Sequence, residues 1–441
     1  MLHQGDRMAQ KRKRGSWTDK QKITLFILII TTSLILIAFL LTPAADVMRG
    51  EWKIITSPGI LITDFIAVAN IGAALFNAGI VGLIGLGLAW LIRARFNGYL
   101  LSGIFTLIGF SFFGKTPFNI LPIFAGVYLY YAIFSSHSMR DLIAPLLFGT
   151  TLGPVVSQLA FGFGWGWSGI VAGCIIGVIC GLLMAAVMGH VFTFHLGYNL
   201  YNTGTSAGFI GTIVYMMMRG FGLEITPAFY WSTDSTFALT IILALLLIIT
   251  SLFGLFWGAN RAAYRAIIKT YGTLPTDYVE IAGLGTAIAN MGIIGLIGLV
   301  YVLLVGGDVN GATAAGILTI AGFGALGKHP RNIVPIMIGV YLMCIIKIWS
   351  HTDPGPLLAA LFCTTLAPFS GRFGIIAGIL AGALHLPMVM HVGSFHGFMS
   401  LYNNGFAGGL AMMIIIGFIK GLKPELLYDS WQRKSNNPLL K

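Results

Sequence analysis

Two lysines stand where a strongly apolar chain has little use for them. Residues 113–129 read FGKTPFNILPIFAGVYL and residues 326–342 read LGKHPRNIVPIMIGVYL. Each string sets a lysine (Lys115, Lys328), two prolines and an asparagine (Asn119, Asn332) among apolar neighbours. Proline removes a backbone donor and glycine adds no side chain, so the pattern interrupts a helix. An interrupted helix exposes N–H groups at one end and carbonyls at the other. A lysine there adds positive charge, and the asparagine adds a donor and an acceptor. That chemistry suits a small anionic or strongly polar solute. The plainer reading is a lysine snorkelling from a tight turn.

Asparagine–glycine strings form a second set. FNAGIVG (76–82) is answered by ANMGIIG (289–295), and YNTGTSAG (201–208) by YNNGFAGG (402–409). They make Asn77, Asn290, Asn202 and Asn403 candidates for contact with solute, or else caps at glycine-lined helix starts. A third set is His190 and His195, answered by His391 and His396. Residues five apart share no helix face, so these segments are expected to be irregular. A proton relay, a polar lining or an interfacial loop fits them. Metal does not, because about four ligands must converge and no carboxylate lies nearby to orient them. Asp64 and Asp277 each follow a threonine at the start of an apolar run. They read as ion- or proton-coupling carboxylates or as plain N-caps. Thr150-Thr151 and Thr364-Thr365 line a pore or back-bond within a helix.

The elements that must position these groups follow from composition. The chain has 441 residues, of which 57% are hydrophobic and 9% charged, against about a quarter charged in soluble domains. Apolar runs long enough to cross a bilayer as helices recur from Ile23 onward. No alternating strand pattern appears, so the fold class is an all-α polytopic membrane protein. The net charge of +12 sits mostly in tails and short loops, which fits positive-inside topology rather than a nucleic-acid partner. The expected partners are the lipid bilayer and a small-molecule solute, with homo-oligomerisation left open; no cofactor and no enzymatic activity are expected. Cys174, Cys180, Cys344 and Cys363 lie in apolar runs and read as small core residues. Lys11–Arg14 followed by Ile23–Leu41 imitates a signal peptide, but the apolar stretch is long enough for a retained helix.

The chain is also duplicated. Aligned without a gap, residues 61–129 and 274–342 agree at 33 of 69 positions. FGTTLGP (148–154) faces FCTTLAP (362–368), and HVFTFHLGYNLYNTG (190–204) faces HVGSFHGFMSLYNNG (391–405). The organisation is a basic tail (1–22), repeat one (23–220), a linker (221–235), repeat two (236–421) and a second tail (422–441). Spans are expected near 23–42, 99–113, 118–135, 142–160, 167–188 and 199–218. The run 60–92 reads as a short broken segment plus a span. Seven crossings per repeat would invert the second repeat, with broken or re-entrant segments lowering the count. Lysine and arginine agree: Arg93, Arg95 and Arg140 in repeat one, and Arg261, Arg265 and Lys269 in repeat two, fall on one side. Both termini and the linker then fall on opposite faces, the termini in the cytoplasm.

The paired GKxPxNIxPIxxGVYL and LYNxG strings resemble a family of bacterial membrane proteins with this duplication and no assigned function. That resemblance implies the bacterial cytoplasmic membrane. Asn77–Gly82 and Gly197-Tyr198-Asn199 are also similar to urea transporters. The departures, Asn77-Ala78 and Gly397-Phe398-Met399, withhold urea as the substrate. Inverted repeats are the architecture of many secondary transporters, with binding at the repeat interface. The expected function is a permease, a secondary transporter for a small polar or anionic solute. The alternatives are a passive channel and an intramembrane enzyme using the paired histidines.

Overall fold

The computed structural model describes residues 17–134 and 138–427. The Lys11–Arg14 run and the tail beyond 427 lie outside them. Both halves run through one series of helices. Asp19–Leu41 answers Thr236–Phe256, and the short amphipathic Ala44–Ile55 answers Arg261–Lys269. Ile71–Leu91 answers Leu284–Leu304, Gly98–Phe110 answers Gly311–Gly322, and Pro117–Phe134 answers Pro330–Ile346. Broken helices over 139–162 and 354–373 follow. Trp167–His195 then answers Ile375–Val392, and Asn202–Gly220 answers Asn403–Leu422. Among the described residues the only strand-like pairing is an isolated bridge between Thr63 and Tyr230. Nine of the described helices are long and apolar enough to cross a membrane. All four cysteines are free.

The run 60–92 divides as its length demands, into an irregular stretch with the one-turn helix Phe65–Val68 and the long helix Ile71–Leu91. The span expected over 99–113 is corrected. Gly98–Phe110 has 13 residues and Gly311–Gly322 has 12. At about 1.5 Å per residue each is about 20 Å long, short of a bilayer core of about 30 Å. Lys115 and Lys328 follow these half-helices, at the breaks that the motif predicts. Tyr128 shares a groove with Leu91, Ile92 and Arg93. Pro117–Phe134 therefore returns to the end from which Gly98 starts, making a hairpin rather than two full crossings.

The two half-helices are buried along nearly their whole length and pack on each other at the junction of the repeats. A Cβ added to Gly109 would lie 3.0 Å from the carbonyl of Ala315, and one on Gly322 would lie 2.7 Å from Cβ of Phe105. Asn202–Gly220 and Asn403–Leu422 meet beside them. A Cβ on Gly204 would sit 2.8 Å from Cα of Gly405, so only glycine admits this crossing.

Candidate functional site

Before each of these two helices the chain is unwound, and each unwound segment reaches into the other repeat. Proline at 154 and 368 removes a helical donor, and the broken helices tighten into short 3-10 turns at 150–152 and 363–366. The freed Thr carbonyls and hydroxyls receive the unwound backbone. Leu200 N–H donates to the Thr365 carbonyl (2.9 Å) and Tyr201 N–H to the Thr365 hydroxyl (2.9 Å). Leu401 and Tyr402 do the same with Thr151, at 3.1 and 2.9 Å.

Tyr201 and Tyr402 are thereby aimed at the lysines. Lys115 Nζ donates to the Tyr402 hydroxyl at 2.6 Å, across 287 residues of chain. Lys328 Nζ donates to the Tyr201 hydroxyl at 2.5 Å and to the Thr364 hydroxyl at 2.7 Å. Each ammonium also lies over aromatic faces: Lys115 is 4.7 Å from the Tyr402 ring centre, and Lys328 is 4.4 Å from that of Tyr201. Both lysines are fully buried. Among the described residues neither is in an ion pair, unlike the exposed pairs Arg49–Asp46, Arg95–Asp141 and Arg219–Glu224. A buried ammonium without a carboxylate is costly.

In front of the tyrosines lies a cavity of ≈ 240 Å³. It is lined by matched pairs from the two repeats: Thr106 and Thr319, Phe110 and Phe323, Phe148 and Phe362, Leu200 and Leu401, Tyr201 and Tyr402. Asn202, Thr203, Asn404 and Gly405 also line it. These belong to the first turns of the two meeting helices, neither of which has a side-chain cap. Uncapped first turns present N–H donors and the positive end of the helix dipole. Each tyrosine oxygen accepts from a lysine.

The predicted residues distribute unevenly around this cavity. Lys115 and Lys328 stand one layer behind its wall. Asn202 lines it, whereas its counterpart Asn403 does not; Asn404, the counterpart of Thr203, does. Asn77 and Asn290 are not at helix starts but in mid-helix. Asn77 donates to the carbonyls of Ser111 (2.5 Å) and Lys115 (2.8 Å), and Asn290 to those of Gly324 and Lys328 (both 2.7 Å). They hold the ends of the half-helices, where carbonyls have no helical donor. Asn119 and Asn332 hold the other side of each break, accepting from Thr116 and His329 N–H and donating to the Gly114 and Gly327 carbonyls.

The expectation of an irregular histidine segment is corrected in repeat one, where one helix runs from Trp167 through His190 to His195, whereas in repeat two the helix ends at Val392, between His391 and His396, and a 3-10 turn follows. His195 bonds Asn202 at 2.9 Å and His396 bonds Asn403 at 3.0 Å, each within its own repeat, while His190 and His391 are exposed. Among the described residues no group of histidine, cysteine or carboxylate converges as a metal site. Asp64 and Asp277 cap the one-turn helices, accepting from Ile66 N–H (2.9 Å) and Val279 N–H (2.8 Å). Each also crosses between repeats or to the linker: Asp277 accepts from Gly98 N–H at the start of a half-helix (2.9 Å), and Asp64 from Ser232 N–H (3.0 Å).

Tyr201, Tyr402, Thr106 and Thr319 were missed in the sequence. Their signal was present: Thr106 equals Thr319 in the gapless alignment, and both tyrosines open the duplicated YN strings.

One family model matches residues 44–220 and 259–421, described as a protein of unknown function (DUF1576). No curated protein and no solved structure matches the chain. The likeness to urea transporters has no support.

Proposed function

From its membership of the DUF1576 family, a family without an assigned function, the chain takes no substrate, and we propose from its own site that it is a secondary transporter for a small organic anion. One observation carries this reading: two buried lysines, each delivered through a tyrosine of the opposite repeat, flank a mostly apolar cavity into which two uncapped helices start. The cationic end matches a carboxylate or similar group, and the phenylalanines match an apolar body. Lys–Tyr pairing across the repeats ties both halves to one solute, as alternating access requires.

The repeats are read as inverted in the membrane. Trp90 bonds Thr24, Phe26 packs on Trp257, and Gly98 bonds Asp277, so these ends share one face. Lys20, Lys22, Arg93, Arg95, Arg261 and Lys269 stand near them in sequence. Positive-inside bias makes this face cytoplasmic in a bacterial inner membrane, with both termini there.

Purified protein is to be screened by thermal shift against benzoate, hexanoate, inorganic phosphate and neutral analogues, since a bound solute stabilises by mass action. Organic anions alone are expected to raise the melting temperature. In proteoliposomes, Lys115→Met and Lys328→Met should each cut gradient-driven uptake of the stabilising anion at least about tenfold, the scale of one charged hydrogen bond. Stabilisation by neutral analogues alone, or full uptake by either variant, removes the reading. For topology, a cysteine at Thr233 should be labelled from outside intact cells and one at Asn260 should not.

A further inference from the structure

The central cavity does not stand alone. A second, mostly polar cavity of ≈ 570 Å³ lies beside it, lined by Lys269, Thr270, Thr273, Thr276 and Arg372. Leu274 is the one residue that borders both. The polar cavity belongs to the face that holds Gly98 and Asp277, since Thr276 adjoins Asp277. Its cations are available to a visiting charge in different degrees. Lys269 is in no ion pair among the described residues, whereas the Arg372 guanidinium lies 4.7 Å over the Tyr271 ring and its Nε donates to the Leu426 carbonyl. A single leucine thus separates an apolar chamber from a basic forecourt.

The loop that carries Leu274 has one backbone tie to the other repeat, Leu274 N–H to the Gly197 carbonyl at 3.2 Å; Asp277 at its end accepts from Gly98 N–H of that repeat at 2.9 Å, and within its own repeat the Thr270 carbonyl meets the His329 ring at 3.1 Å. The matching loop, 57–64, is tied at four points. Leu61 N–H donates to the Phe398 carbonyl (2.9 Å), Ile62 N–H to Ala228 (3.0 Å) and Asp64 N–H to Tyr230 (3.1 Å), while Tyr230 N–H donates to Ile62 (3.0 Å). Leu61 is buried and does not border the central cavity.

We infer that the basic forecourt is an entry site for small anions and that loop 270–277 is its gate, with Leu274 as the plug. The inference rests on the anion-carrier reading and adds the route by which solute reaches that site. Lys269 and Arg372 raise the local concentration of anions at the mouth. Loop 270–277 swings while loop 57–64 stays clamped, so this conformation opens toward the cytoplasmic face. The occupant of the forecourt is an anion in transit and not a cofactor.

Thiol labelling tests this without knowledge of the solute. Cysteine is placed at Leu274, at Leu61 or, as a forecourt control, at Thr273, in full-length protein whose four native cysteines are replaced and whose melting temperature is retained. Vesicles of the orientation that exposes each loop, inside-out for Leu274 and Thr273 and right-side-out for Leu61, are treated with a sulfonate-bearing or a trimethylammonium-bearing methanethiosulfonate, and rates are normalised to those for a free thiol. Leu274→Cys is expected to react at least about tenfold faster than Leu61→Cys and to favour the sulfonate reagent. Lys269→Gln should reduce that preference at least about threefold, and raised salt should do the same. Equal labelling of the two loops, no labelling of Leu274→Cys while Thr273→Cys reacts, or a preference for the cationic reagent overturns the gate. If the gate labels as expected and no anion stabilises the protein, the carrier reading fails on its own test and the forecourt result identifies the failure as one of substrate class.

Discussion

Loops 57–64 and 270–277 sit at matching places in the two repeats, yet the first is clamped by the linker and the second is not. The linker around Ala228–Ser232 occurs once, because a duplication has one junction. Duplicating a sequence copies its packing; the junction is the part it cannot copy. The two loops, alike in sequence, are therefore held unequally: three backbone hydrogen bonds join 57–64 to the linker, and among the described residues none joins 270–277 to it. The lysines show the same asymmetry in small. Lys328 has two hydroxyl partners, while Lys115 has one, although Thr150 stands where Thr364 would.

The largest way to test this inequality is at Glu51. At the same offset repeat two has Tyr264. Glu51 is buried in the amphipathic helix Ala44–Ile55 and its Oε2 has no hydrogen-bond partner. Burial pushes its carboxyl up to about 8. A carboxyl raised in the folded state contributes stability that is complete below its unfolded value near 4.5 and is lost as pH rises to about 8. Wild type should lose on the order of 5 kcal/mol relative to Glu51→Gln across that window. Parallel pH–denaturation curves of the two proteins would remove the asymmetry.

The next effect sharpens the lysine comparison. Tyr402→Phe leaves Lys115 Nζ without its hydrogen-bond partner, whereas Tyr201→Phe leaves Lys328 the Thr364 hydroxyl. The first should cost about 2–3 kcal/mol and the second about 1, the range for a charged donor left unmet against one partly met. Denaturation of both variants checks the order, and equal losses would erase the distinction.

The smallest effect concerns the clamp itself. Asp64→Asn weakens acceptance from Ile66 and Ser232, and Asp277→Asn weakens acceptance from Val279 and Gly98. Each should cost about 1 kcal/mol, as for a lost cap. Only Asp64→Asn should also make Leu61→Cys reactive from outside, because Asp64 pins the linker to its loop.

Much of the arrangement was legible in the chain. The duplication, the helix breaks at Lys115 and Lys328, and the division of 60–92 follow from identical residues, prolines and run lengths, all of which act locally. The half-helices were misjudged as spans because thirteen apolar residues look alike whether they end in lipid or inside protein. Asn77 and Asn290 were read as breaks because asparagine beside glycine favours a helix start; the long-range carbonyls they satisfy have no local signature.

The sequence by itself determined a helical membrane protein of two related halves, since hydrophobicity and backbone hydrogen bonding in lipid leave no other fold. It also determined where its helices are interrupted. Only the tertiary structure decided which hydroxyl meets which lysine, that Tyr201 and Tyr402 rather than Asn77 and Asn290 line the cavity, and that Leu274 stands between two chambers. Those relations join residues 127 and 287 positions apart, and they depend on how the packed repeats cross at Gly204 and Gly405, where the absence of a side chain lets two helix starts meet.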